Sequence, residues 1–149
     1  MVGQINNRKV LPIFKYILSI LLLASLQACG QIGNHQHQTI NRMEYQKINN
    51  YKVKAAIEAW QDGNSKLWLS FFTTDVKLLD DGNLRDFKEF STEALGHERF
   101  TTIDKAEDNG LSVYGHFHSD TWGDFKTYFK FHLDAEGKFN KLEIGQAHY

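Results

Sequence analysis

Residues 110–145 alternate between apolar and polar side chains. Val113, Phe117, Phe125, Phe129, Phe131 and Leu133 hold odd positions. Tyr114, His116, His118, Asp120, Lys126, Lys130 and His132 hold even ones. Successive side chains of a strand point to opposite faces, so a period of two predicts a half-buried antiparallel sheet. Trp122-Gly123-Asp124 and the glycine-ended stretch 134–137 read as turns, which divides the segment into a three-strand meander.

The pattern changes upstream. Over residues 44–61, Tyr45, Ile48, Lys52, Ala56, Ala59 and Trp60 recur three and four apart, with Val53 and Ile57 beside them. That spacing predicts a helix with a broad apolar stripe, ended by Asp62-Gly63-Asn64. Asn64 or Ser65 can cap a second short helix through Phe71, carrying Trp68 and Leu69. Residues 73–80 read as a strand with Val76 and Leu78 on one face. Asp81-Gly82-Asn83 is a hairpin signal, and 84–87 a short returning strand. A third helix is predicted over 88–95, ending at Gly96, and a strand over 99–107. Helices first and strands last indicate an α+β fold rather than a wound parallel sheet.

Residues 1–28 stand apart from this domain. Arg8 and Lys9 precede an apolar stretch whose uninterrupted run, 16–23, is short for a membrane span. Leu26-Gln27-Ala28-Cys29 follows, and Cys29 is the chain's single cysteine. This resembles the lipobox of bacterial lipoproteins. The resemblance implies cleavage before Cys29, a diacylglycerol on its thiol, and anchoring at the cell envelope. With Gly30 next, it implies the periplasmic side of the outer membrane if the cell is Gram-negative. Each buried methylene contributes about 0.8 kcal/mol, and several acyl chains anchor stably where one does not. Residues 29–43 are then the lipidated cysteine and a polar tether, with His35 and His37 as solvated linker residues.

Composition narrows the function. The chain has 149 residues, 42% hydrophobic and 13% aromatic, which suits one domain with a core or cavity walled by rings. Beyond residue 29 there are 14 bases against 18 acids. A mildly acidic domain without a basic stripe is not expected to bind nucleic acid, which is held by phosphate neutralisation. One cysteine excludes an internal disulfide and a cysteine-rich zinc site.

The element order, the aromatic first helix, Phe71-Phe72-Thr73-Thr74-Asp75-Val76 at the first strand and the ending 137–145 together resemble the nuclear transport factor 2-like superfamily, whose bacterial members are often called SnoaL-like. The similarity covers residues 44–149. It implies three N-terminal helices packed on a curved, mostly antiparallel sheet, a cone-shaped α+β barrel with an apolar pocket. Members include ketosteroid isomerase, polyketide cyclases, dehydratases, ligand carriers and dimerisation modules, so the fold does not select the function. The isomerase's catalytic residues cannot be matched position by position, and none is transferred.

Three readings follow. The leading one is an anchored domain binding a small apolar or amphipathic molecule, with Trp60, Trp68, Phe72, Phe90, Phe117 and Phe129 lining the pocket or else forming plain core. The second is an enzyme of the isomerase, cyclase or dehydratase kind. Asp75, His116 and His118 are its candidate acid–base residues, Asp75 as a base if burial raises its pKa. The third is a homodimeric interaction module using the outer sheet face. His116, His118 and Asp120 share one strand face about 7 Å apart. With His132 alongside they would suit zinc, if the turn set His116 near Lys130 or His132. Their parity opposes that of the phenylalanines and directs them outward, so we assign no metal and no cofactor. His97, after Gly96, reads as a loop residue.

Overall fold

The structure is a computed structural model that describes residues 44–149. The leader, Cys29 and the tether lie outside the described residues. Among the described residues no helix is long and apolar enough to cross a membrane.

Among the described residues three helices, α1 (Tyr51–Gln61), α2 (Ser65–Ser70) and α3 (Phe87–Ala94), accompany seven strands. These are β1 (Phe72–Asp80), β2 (Asn83–Arg85), β3 (Glu98–Phe100), β4 (Lys105–Glu107), β5 (Ser112–Ser119), β6 (Gly123–Leu133) and β7 (Phe139–Gln146). The sheet runs β2-β1-β7-β6-β5-β3, with β4 also on β5. β1 and β7 pair in parallel, and every other pairing is antiparallel. This is the expected α+β architecture, a mostly antiparallel sheet with helices against one face.

Local chemistry explains where elements begin and end. The predicted 44–61 helix is interrupted: a 3-10 turn covers Tyr45–Lys47, and α1 starts only after Asn50. Asn50 Oδ1 accepts the amides of Lys52 and Val53, both at 3.1 Å, satisfying donors that have no helical partner. Asn64 caps α2 in the same way, at 3.1 Å from the Leu67 amide, and Asp86 caps α3 at 2.7 Å from Glu89. The Asp86 cap places Phe87 in the helix rather than in the returning strand. Asp81 and Gly82 both have positive φ, 46° and 83°, as the tight β1–β2 hairpin requires.

The parity rule holds through most of β5 and β6 and fails at Leu133, which is exposed where the β6–β7 register shifts. Val113, Phe117, Phe129 and Phe131 are buried, facing Val53, Ile57, Trp60 and Trp68 of the helices. The rings interlock: Trp60 meets Trp68 edge-on at 4.9 Å and stacks on Phe90 at 5.4 Å. Phe72 packs on Phe87 at 4.5 Å, and Phe100 meets Phe117 at 5.0 Å. The Gln61 side chain ties α1 to β3, donating to the Phe100 carbonyl and accepting its amide, both at 2.8 Å.

Two expectations for the sheet are corrected. The 99–107 strand is two strands with an irregular crossing between, because segment 101–104 lies against β5 out of register. There Thr101 N donates to His116 O at 2.9 Å and Asp104 N to Tyr114 O at 2.8 Å. The β5–β6 turn also falls earlier than the Trp122-Gly123-Asp124 signal. Ser119 Oγ accepts the amides of Thr121 and Trp122 at 3.3 Å each, and Gly123, at φ 75°, already opens β6. This sets His116 opposite Lys126, while His132 pairs with Lys141 of β7, so His116 is brought to neither Lys130 nor His132.

Candidate functional site

A cavity of about 610 Å³ opens where the β1–β2 hairpin, α3, β3 and the ends of β5, β6 and β7 meet. Its apolar lining is Phe90 from α3, Phe117 from β5, Phe125 and Phe129 from β6, and Ile144 from β7. Thr127 is buried among them and donates to the Gly145 carbonyl at 2.9 Å. Charged groups complete the lining: Asp80 and Asp81 at the hairpin, Arg85 on β2, Glu98 on β3 and Asp124 on β6. Trp122, 78% exposed, stands on the β5–β6 turn and contributes to the same wall. The concave surface is therefore mixed, with aromatic rings on one side and charged groups on the other.

Each charged group has a defined setting. Arg85 is held by Asp80 and Glu93, both at 2.8 Å, and its guanidinium lies 5.0 Å from the Phe90 ring centre. Burial opposes its charge, but the two carboxylates outweigh burial and keep it firmly protonated. Asp81 Oδ1 accepts the Gln146 amide at 2.9 Å. Glu98 is half-buried and accepts from the Ser119 hydroxyl at 3.0 Å. Burial, aided by Asp80 and Asp120, raises its pKa against the lowering effects of Ser119 and Arg85.

A second, smaller cavity of about 440 Å³ shares Arg85, Glu98 and Trp122 with the first. His97, Ser119 and Asp120 are among its other walls. His97 Nδ1 lies 3.1 Å from Asp120, and this contact, more than the neighbouring Arg99 and His118, lowers the Asp120 pKa.

The sequence candidates divide. Phe90, Phe117 and Phe129 line the larger cavity. Trp60, Trp68 and Phe72 do not: they are buried in the helix–sheet core, Trp68 meeting Trp60 edge-on and Phe72 tilted, with Phe131 against Trp68 and Phe72. Asp75 is exposed and is absent from the lining, because Phe72 and Leu78 set the inward parity of β1 and Asp75 has the other. His116 is exposed on the outer face, 3.0 Å from Thr102 Oγ1 and 3.3 Å from Asp104. His118 also lies off the cavity, 2.6 Å from Asp124 and 3.5 Å from Asp120. Among the described residues no group of three or more His, Cys, Asp or Glu is placed to hold a metal ion.

On the outer face, burial opposes but the hydroxyls of Tyr149 and Thr102, with His116, lower the Asp104 pKa. Tyr149, donating to Asp104 at 2.7 Å, is pushed up to about 12, by burial first and by that bond second.

Glu98, Arg85, Asp81, Asp124 and Thr127 were not foreseen. One sequence signal pointed to them: Ser119 and Thr127 are polar at odd positions, on the face otherwise set with phenylalanines. A polar residue on the inward parity of an aromatic sheet marks where the core gives way to a lined space.

No protein-family model matches the sequence, and no curated protein does. Solved structures resemble its fold. An NTF2-like protein of unknown function from Cytophaga hutchinsonii aligns with TM-score 0.53 and 13% identity, over 64% of this chain and 87% of its own. A protein from Sphaerobacter thermophilus aligns with TM-score 0.54 and 12% identity, over 66% and 94%. The Orange Carotenoid Protein of Anabaena, solved binding canthaxanthin, aligns with TM-score 0.53 and 17% identity, over 65% of this chain but 35% of its own.

Proposed function

We propose that this domain, which has the nuclear transport factor 2-like fold, binds a small amphipathic molecule in the cavity between its hairpin, third helix and sheet. The observation that carries the reading is the cavity's composition: phenylalanine walls with Arg85, Glu98, Asp81 and Asp124 around them. An apolar body gains by leaving water against such walls, and a polar head finds charged partners on the same surface. The Orange Carotenoid Protein, part of which shares this fold, was solved binding canthaxanthin, and that likeness supports a small-molecule reading.

Thr127 supplies the test. It is buried and lines the cavity. The full chain should bind the neutral apolar dye Nile red with a fluorescence gain, and Thr127→Trp should weaken that binding by about tenfold or more, equivalent to about 1.4 kcal/mol. Equal binding by the variant and the parent would place the dye elsewhere and remove the support for the cavity.

We further propose that the domain is tethered to the bacterial cell envelope through lipid on Cys29, the reading that Leu26-Gln27-Ala28-Cys29 supports. Cys29→Ser should move the protein from the membrane fraction to the soluble fraction on cell fractionation. Unchanged membrane association would exclude lipid on this thiol as the anchor.

A further inference from the structure

We infer that Trp122 is the closing residue of the larger cavity: its indole folds over a molecule seated there and completes the apolar surface around it. This rests on the cavity being a ligand site, as proposed above, and assigns that site a binding residue.

The chain has three tryptophans, and they are placed very differently. Trp60 and Trp68 are fully buried in the ring network, whereas Trp122 is 78% exposed. That network reaches the cavity through Phe117, Phe125 and Phe129, whose rings pack at 5.6 and 5.7 Å, and it does not extend to Trp122. A large aromatic side chain covers about 150–250 Å² when it is buried, so an indole left in water forgoes a large favourable term.

Its position gives the exposure a use. Trp122, Arg85 and Glu98 are the residues that line both cavities, so the indole stands where the two spaces meet. Phe125, next along the same lining, is only half-buried and leaves part of its ring uncovered as well. An apolar body in the cavity supplies the partner that both rings lack, and all of them leave water together.

The backbone beneath the indole is held while the ring is not. Ser119 Oγ accepts the amides of Thr121 and Trp122 at 3.3 Å each and donates to Glu98 at 3.0 Å. Asp120 N donates to His97 O at 3.0 Å, which ties the turn to the loop after α3. On the far side, a β-carbon built on Gly123 would meet nothing within 4 Å, so the turn leaves the ring room to swing. Closure is then a side-chain rotation on a fixed post and needs no movement of the loop; exposed side chains rotate in picoseconds to nanoseconds.

The test compares the full chain with Trp122→Phe and Trp122→Ala, using Nile red as the probe. Trp122→Ala should weaken binding by about tenfold or more and speed dissociation, and Trp122→Phe, which keeps a smaller ring, should lose less. Both variants should keep the parent's urea unfolding midpoint, because the side chain is exposed. Acrylamide quenching of tryptophan emission reads the closure itself. Trp60 and Trp68 are buried, so the quenchable emission of the parent belongs to Trp122, and saturating dye should protect most of it. If the dye binds and Thr127→Trp weakens it, but Trp122→Ala binds as the parent does or the dye leaves quenching unchanged, this inference is overturned while the ligand-site reading stands. A lowered unfolding midpoint in both variants would make Trp122 a structural residue and overturn it as well. If the dye does not bind, or Thr127→Trp binds it equally, the ligand-site reading falls, and this inference with it.

Discussion

Trp68→Ala is expected to lower the unfolding free energy of the domain by about 3–5 kcal/mol, the range for removing a buried large aromatic. Trp68 is fully buried at the centre of the ring network, with Trp60 at 4.9 Å, Phe72 at 4.7 Å and Phe87 at 6.1 Å. These neighbours come from α1, β1 and α3, so the space left behind has walls on three elements that cannot all close together. A domain of this size is usually stable by about 5–15 kcal/mol, so a loss on this scale takes a large part of the total. The indole N–H separates packing from hydrogen bonding. Trp68 Nε1 donates to Ser91 Oγ at 3.0 Å, whereas Trp60 Nε1 is buried and has no partner among the described residues. Trp68→Phe should therefore cost more than Trp60→Phe, because the former deletes a bond and the latter removes an unmet donor. Urea unfolding of the full chain followed by circular dichroism measures both. A loss under about 1 kcal/mol for Trp68→Ala would mean that the aromatic network is not what holds helices to sheet.

The second large effect is expected at Gly115. A β-carbon built there would stand 2.0 Å from the Thr102 carbonyl oxygen and 3.1 Å from the Phe100 ring. The first obstacle is backbone, and that backbone is held on both sides, by Thr101 N to His116 O at 2.9 Å and Asp104 N to Tyr114 O at 2.8 Å. Phe100 cannot yield either, since its ring packs on Phe117 and Phe129 and its amide and carbonyl are clasped by Gln61. Gly115→Ala should cost roughly 3 kcal/mol, at the upper end of what overpacking costs. It should also raise amide exchange selectively over 98–107, the segment that has to lift. Hydrogen exchange that is unchanged there, or increased uniformly, would show that the 101–104 crossing does not depend on the missing side chain.

Gly115 also shows why part of the fold was legible and part was not. Strand parity in 110–145 was readable because one face of an antiparallel sheet must be apolar, and that demand is written residue by residue. Val113, Phe117, Phe129 and Phe131 turned inward and His116 outward, as their parity required. The α+β order and the hairpin at Asp81-Gly82 were legible for similar reasons, since caps, breakers and turns act over a few residues. The break at Asn50 was less visible. An apolar stripe runs through Tyr45 and Ile48 into α1, and the Asn50 cap is a local competitor that periodicity does not weigh.

The site was read less fully because its members are far apart along the chain. Asp81, Glu98 and Asp124 share no spacing, and border one cavity only because the folded sheet brings the β1–β2 hairpin, β3 and the start of β6 around it. Phe90 and Phe129 look, as sequence, no different from Phe72 or Trp60. Whether a ring lines a cavity or fills the core depends on what stands opposite, and Trp60 is opposed by Trp68 and Phe90. His116 and His118 drew attention by residue type, but strand parity and an earlier turn took them off the inner face.

The sequence by itself determined the order of elements, most of the inward set of the meander, the Asp81-Gly82 hairpin and the absence of a basic stripe. These depend on neighbours within a few residues or on composition, and side-chain chemistry at that range does not need the fold to express itself. Only the tertiary structure decided which rings face the cavity, which charged residues border it, and that Arg85 pairs with Asp80 and Glu93. Those are properties of surfaces assembled from segments far apart in the chain, and they come into being only when the sheet curves and the helices close on it.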